Sequence, residues 1–293
     1  MSISDTTEHI ARARLLAAKI AERSAEIDKI RRIPVDLAGE LADDNLFRLL
    51  VPKSLGGIEI DHPAFIEIVR IFAQADASTA WCINQNNIFA TDTTRMPVEI
   101  ARKIWDDQRG IVTNGPPSKN TVAVPTDEGY RLSGHWDFSS GISHSTWLAA
   151  RAPVEGRNAE LRMFLLPTAD TTLLDTWHVN GLRGTGSFSF EIDDIFVPEG
   201  HTYMESDTPR DDGPLYAIPK IPLFSIGFAT IAVALARACL DDAIELAQQK
   251  TQRAISTAMI KRSTVHRQIG ESEAKLRAAD QYLRGTAATL WDT

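Results

Sequence analysis

Small and apolar residues recur at steps of three and four near the start of the chain. Ile10, Ala13, Ala17, Ile20, Ser24 and Ile27 fall on one side of a helix wound at 3.6 residues per turn, so this stretch reads as an amphipathic helix. Another helix is expected to begin at Asp61, whose carboxylate can accept from the free N–H groups of a first turn. Pro63 sits inside that turn, and Phe65, Val69, Phe72 and Ala73 share a face. Between Gly110 and about Tyr216 the texture changes to short β-branched and aromatic runs separated by Gly, Pro, Asn and Asp. The expected strands are Thr121 to Val124, Tyr130 to Trp136, Trp147 to Val154, Leu161 to Leu166, Phe188 to Ile192 and Ile195 to Val197. From about Pro222 the helical step returns at Ala229, Val233, Ala236, Leu240, Ile244 and Ala247. A last helix is expected from Ser263 to Leu290.

The order helix, sheet, helix defines an α+β chain. It divides into an N-terminal helical domain at 1–110, a middle antiparallel, barrel-like β domain at 111–216, and a C-terminal helical bundle at 217–293. Two C-terminal helices leave apolar stripes that a hairpin cannot cover, so the bundle is expected to be incomplete: the chain reads as C-terminally truncated, or as completed by a partner.

Composition narrows the function classes. With 43% hydrophobic residues in 293, the chain can bury a substantial core. Its 31 basic and 39 acidic residues give a net charge of −8 without a basic tract, which argues against nucleic acid and anionic membranes as partners. The only cysteines, Cys82 and Cys239, lie far apart in apolar segments without metal-ligand spacing, and are expected to be buried thiols of a cytoplasmic protein. The N-terminus lacks the unbroken apolar core of a signal peptide, and the longest apolar run, Ile226 to Leu240, is too short to span a bilayer.

Several motifs carry chemistry. Gly56 and Gly57, after Leu49-Leu50-Val51-Pro52, mark a turn or close backbone approach. The run Gly134 to Trp147, GHWDFSSGISHSTW, combines an aromatic residue, hydroxyls and a histidine around a turn. The helix around TAWCINQNNIFA, from Thr79, buries amides that need partners, of which a ligand is one candidate. Gly181 to Ser187, GLRGTGS, has strands on both sides, so it is no dinucleotide fingerprint.

In their order these motifs resemble the acyl-CoA dehydrogenase superfamily, and the Ser140-Gly141 pair followed by His144 and Trp147 resembles its flavin-dependent two-component monooxygenase branch. The segment Ile111 to Pro125 lacks the acid and the Gly-Ser-Asp usual in acyl-CoA dehydrogenases, which favours that branch. The resemblance implies an acyl-CoA dehydrogenase-like fold with the flavin between the β domain and the bundle. It implies reduced FMN or FAD as cofactor, supplied by a separate flavin reductase, with O2 and a small aromatic or heteroatom substrate. A homo-oligomer, in this family a tetramer, is also implied.

Catalytic roles fall by resemblance on Ser140, as donor to flavin N5 or its C4a-hydroperoxide, and on His144. Cofactor contacts fall on Trp81, Asn114, Phe138, Ser139, Ser140, Trp147, Arg253 and Gln268. The family's usual base, a histidine late in the bundle, is absent from this chain. Two alternatives are an acyl-CoA dehydrogenase using Glu245, Glu271 or Glu273 as base, and a non-catalytic truncated paralogue. No metal site is expected.

Overall fold

The computed structural model describes residues 3–158, 160–250 and 258–292. Six helices come first: α1 (Ile3–Glu22), α2 (Ser24–Ile30), α3 (Val35–Asp43), α4 (His62–Ala75), α5 (Ala77–Ala90) and α6 (Val98–Trp105). Asp61 caps α4 as the sequence suggests, its Oδ1 accepting from Ala64 N–H at 2.8 Å. Asp76 does the same for α5 at Thr79, 2.6 Å. Gly57 lies so close to the preceding turn that an added Cβ would stand 2.0 Å from the Val51 carbonyl oxygen, which accounts for the glycine pair structurally.

The middle of the chain folds into two four-stranded sheets. The first has the order β1 (Val112–Thr113), β4 (Trp147–Pro153), β5 (Leu161–Pro167), β8 (Thr202–Tyr203). The second runs β2 (Pro117–Pro125), β3 (Gly129–Ser139), β7 (Phe188–Pro198), β6 (Thr172–Leu174). Pairing is antiparallel except between β1 and β4. The two expected strands at 188–192 and 195–197 are one strand, β7. A register shift opposite Leu132 and Gly134 and a positive φ of 51° at Asp194 interrupt its alternation. Aromatic residues from the facing sheets, among them Tyr130, Trp136, Phe164 and Phe190, fill the space between them.

Three helices follow: α7 (Pro214–Ala217), α8 (Lys220–Gln249) and α9 (Ser263–Asp292). The apolar run read from the sequence is embedded in the 30 residues of α8, about 45 Å of helix. Among the described residues α8 is the one helix long and apolar enough to cross a membrane, by length and composition. Here it packs on α4, α5 and α9. It passes α5 at Gly227, where a Cβ would stand 2.0 Å from Asn84 Oδ1. Much of it stays uncovered: Ile221, Leu235 and Leu246 are exposed. So is Cys239, which corrects the expectation of two buried thiols; Cys82 is fully buried and its thiol is pushed up by that burial.

His62 opens α4 inside the helical core with neither ring nitrogen hydrogen-bonded, and burial pushes its pKa down to about 4. The folded state therefore holds a neutral imidazole that the unfolded chain protonates below its ordinary pKa of 6.5. The stability this gives is fully present above that value and is lost as pH falls toward 4, about 3 kcal/mol in all. Urea midpoints measured between about pH 4.5 and 7.5 should fall less steeply in His62→Phe than in the native chain. Equal slopes would show that His62 does not carry the acid sensitivity.

Candidate functional site

The end of β3, the middle of α5 and the upper part of α8 meet at Ser140. Its side chain is buried, and its Oγ accepts from the Trp81 indole N–H at 3.0 Å. Ser140 Oγ lies 2.7 Å from Ser187 Oγ, which lies 2.6 Å from Thr185 Oγ1, and Thr185 donates to the Leu182 carbonyl at 2.9 Å. Each hydroxyl has one proton, so fixing the Thr185 proton on Leu182 fixes the rest: Ser187 donates to Thr185, and Ser140 donates to Ser187. Moving the Ser140 proton to a ligand costs one serine–serine hydrogen bond and leaves no buried donor unpaired. The backbone locks the turn, because Gly141 N–H donates to Thr185 O at 2.8 Å and Thr113 Oγ1 to Ser140 O at 2.6 Å.

Two residues before Ser140 the chain turns sharply. Phe138 adopts φ of 55°, a conformation costly for a residue with a bulky side chain, and its ring is 61% exposed, edge-on to Trp177 at 6.1 Å. Ser139 is fully buried and its hydroxyl has no hydrogen-bond partner. Beside them, Asn114 Oδ1 accepts from Gln85 Nε2 at 3.0 Å. The Trp81 ring stacks on Phe228 of α8 at 4.0 Å.

His144 lies behind this turn. Its ring stacks on Phe47 at 5.0 Å, its Nε2 is 3.2 Å from Asn86 Oδ1, and burial pushes its pKa down to about 4, so it is neutral near pH 7. A Cβ on Gly141 would stand 2.9 Å from His144 Nε2, so the ring fills the space the glycine leaves. The structure holds His144 between Phe47 and Asn86, and Ser140's hydrogen bonds go to other partners.

The expected site residues thus separate into groups. Trp81, Ser140, Ser139, Phe138 and Asn114 gather at one junction. Trp147 does not join them: β4 alternates, and Trp147 points with Ala149 toward Trp105 of α6, into the core between the first sheet and the helices. Gln268 is exposed on α9, and Arg253 lies outside the described residues. Most of the buried amides of α5 find protein partners rather than a ligand. Asn87 bonds Leu46 O, Ile83 O and Leu50 N–H, and Asn86 bonds Val112 O; only both atoms of the Asn84 amide are unpaired. Arg183, within GLRGTGS, pairs with Asp28 at 3.3 Å. The acids considered as dehydrogenase bases are engaged elsewhere: Glu245 and Glu271 are exposed, and Glu273 is held between Arg237 and Arg277.

A flavin requires a flat apolar wall and donors at the N5 and C4 edge of its ring. The exposed Phe138 ring offers the first. Ser140, with a transferable proton, and the Gln85–Asn114 amides offer the second, so the residues present fit the group; the Ser139 hydroxyl is buried against Gly115.

Residues 8–97 match the family model of the acyl-CoA dehydrogenase N-terminal domain, and residues 226–293 that of the acyl-CoA dehydrogenase C-terminal domain. Together they take in more than half of the chain, which belongs to the acyl-CoA dehydrogenase family. Within it, the chain is similar to the oxygenase subunit HsaA of a flavin-dependent monooxygenase from Rhodococcus jostii. The two are 28% identical over 284 residues, 93% of this chain and 74% of that protein. It is also similar to indole-3-acetate monooxygenase of Pseudomonas putida, 26% identical over 92% of this chain and 70% of that one. The solved structure of XiaF from Streptomyces sp., in complex with FADH2 and glycerol, superposes with a TM-score of 0.86 at 26% identity, covering 99% of this chain and 77% of XiaF.

Proposed function

We propose that this chain is the oxygenase component of a two-component flavin-dependent monooxygenase that inserts one oxygen atom into a small aromatic substrate. The observation that carries the reading is the buried Ser140 hydroxyl, set by Trp81 and Ser187 beside the exposed ring of Phe138. The similar proteins support it: one is the oxygenase subunit of a flavin-dependent monooxygenase, another an indole-3-acetate monooxygenase, and XiaF is solved in complex with FADH2. Bound reduced flavin supplies the chemistry, activating O2 and passing one oxygen atom to the substrate while the other leaves as water.

On this reading Phe138 and Trp81 shield the flavin ring from water. Ser140 holds a proton at the N5 edge and Asn114 fixes the ring's polar edge, while Ser139, its side chain buried, contributes through its backbone. His144, neutral and hydrogen-bonded to Asn86, supports the turn that places Ser140. Arg253 and Gln268 remain proposed contacts to the cofactor of a neighbouring subunit. The uncovered face of α8 supports a homo-oligomer, for which a tetramer is the family form. A separate reductase in the same cytoplasm delivers the flavin; FMN and FAD are both accommodated by the reading.

Anaerobic titration with reduced FMN and FADH2, followed by labelled O2 and a panel of phenols and indoles, tests this. The expected result is tighter binding of reduced than of oxidised flavin, and label in the product. Bleaching of bound FAD by an acyl thioester with no reductase present would assign the chain to the dehydrogenases instead.

A further inference from the structure

The face of α5 that carries Trp81 continues in steps of four to Gln85 and Phe89, and α8 answers it in reverse with Phe228, Phe224 and Lys220. Trp81 stacks on Phe228, Phe89 meets Phe224 at 5.5 Å, and Lys220 Nζ lies 5.0 Å from the centre of the Phe89 ring. Next to the Gln85–Asn114 hydrogen bond a cavity of about 660 Å³ opens with Asn114, Phe89 and Phe224 in its wall. That volume suits a small organic ligand. Its apolar wall begins at the flavin-fitting junction, and its other end is charged.

At that end Lys220, Arg95 and Arg151 face Asp92 and Glu205, so one positive charge is left over. Lys220 donates to Asp92 Oδ2 and Glu205 Oε1, and its third N–H has no acceptor among the described residues. Arg151 stands 3.8 Å from Glu205, at charge distance and beyond a hydrogen bond. The eight helical steps from Trp81 to Phe89 advance about 12 Å along the helix, which separates the charged end from Ser140.

Building on the monooxygenase reading, we propose that this cavity is its substrate pocket and that it selects an aromatic acid. The ring lies against Phe89 and Phe224, toward Ser140, and the carboxylate is held by the free N–H of Lys220 and by Arg151.

Equilibrium dialysis of the full chain, alone and with reduced flavin under anaerobic conditions, tests this with indole-3-acetate and phenylacetate against their uncharged amides. Each acid should bind at least about tenfold tighter than its amide, the size of one charge-assisted hydrogen bond. Lys220→Met should erase most of that preference. Arg151→Gln, at a half-exposed position where folding is not at risk, should reduce it. Equal binding of acid and amide by the native chain, or a preference that survives both substitutions, overturns the proposal. If reduced flavin binds and the acid preference is absent, the pocket assignment fails alone. If the preference is present and reduced flavin does not bind, the monooxygenase reading is the one that fails.

Discussion

Ser140→Ala is expected to lower coupled oxygen transfer by about a hundredfold, with O2 consumption persisting as hydrogen peroxide release. The substitution removes a hydroxyl that accepts from Trp81 and donates to Ser187, and leaves the indole N–H without a partner in a buried site. It also removes the one proton the junction can hand to a ligand without leaving a buried donor unpaired. Ser140→Thr keeps the hydroxyl and should recover part of the coupling. Ser187→Ala deletes the acceptor that Ser140 uses at rest and a donor to Thr185, which keeps its own bond to Leu182 O, so its effect should be within a few-fold of native. The ratio of hydroxylated product to peroxide, measured against flavin affinity, separates these cases. Loss of coupling in Ser187→Ala equal to that in Ser140→Ala would mean the hydroxyl chain as a whole, rather than the Ser140 proton, is what matters.

The residues at this junction were legible in the sequence to different degrees, for physical reasons. Phe138 to Ser140 and Trp81 stand in local motifs that resemble those of the family, and the Asp61 cap is visible as a helix start. Trp147 sits in the same motif as Ser140, but strand alternation sends it to the opposite face of its sheet, something motif position alone does not carry. Thr185 and Ser187 were read as part of a β-domain signature. The Ser187 hydroxyl reaches Ser140, and Thr185 reaches Ser187, only because β7 pairs with the end of β3, at Ser139 and Phe188. Phe224 and Phe228 looked like any apolar positions of a core helix, since nothing local says that they oppose Phe89 and Trp81. Asp92 left one usable signal: an acid within the short polar run Thr91 to Thr94, directly after an apolar helix, where burial would demand a cation from elsewhere in the chain.

That acid is the subject of the second large effect: Asp92→Ala should destabilise the fold by about 3–5 kcal/mol. The carboxylate is 1% exposed, and burial pushes its pKa up while Lys220 opposes the shift. Its Oδ2 accepts from Lys220 and, at 2.8 Å, from the buried Tyr203 hydroxyl, so one side chain ties the turn after α5 to β8 and to the start of α8. Oδ1 has no hydrogen bond, and the Arg95 guanidinium stands 4.0 Å away. Alanine leaves a buried phenol without an acceptor and an ammonium with only the half-exposed Glu205 to balance it. Asp92→Asn retains an acceptor for Tyr203 and should cost less, and Tyr203→Phe, which deletes a single hydrogen bond, about 1–2 kcal/mol. Because domains of this kind hold only about 5–15 kcal/mol in total, urea midpoints at neutral pH will resolve the series. A shift below about 1 kcal/mol for Asp92→Ala would show that the pair's desolvation cost cancels its attraction. The acid-over-amide preference should follow the same series in a different order. Asp92→Asn takes a negative charge away from Lys220 and strengthens the preference, whereas Tyr203→Phe leaves both charges in place and the preference intact. Stability and selectivity at this end of the cavity are therefore separable through two side chains that share one carboxylate.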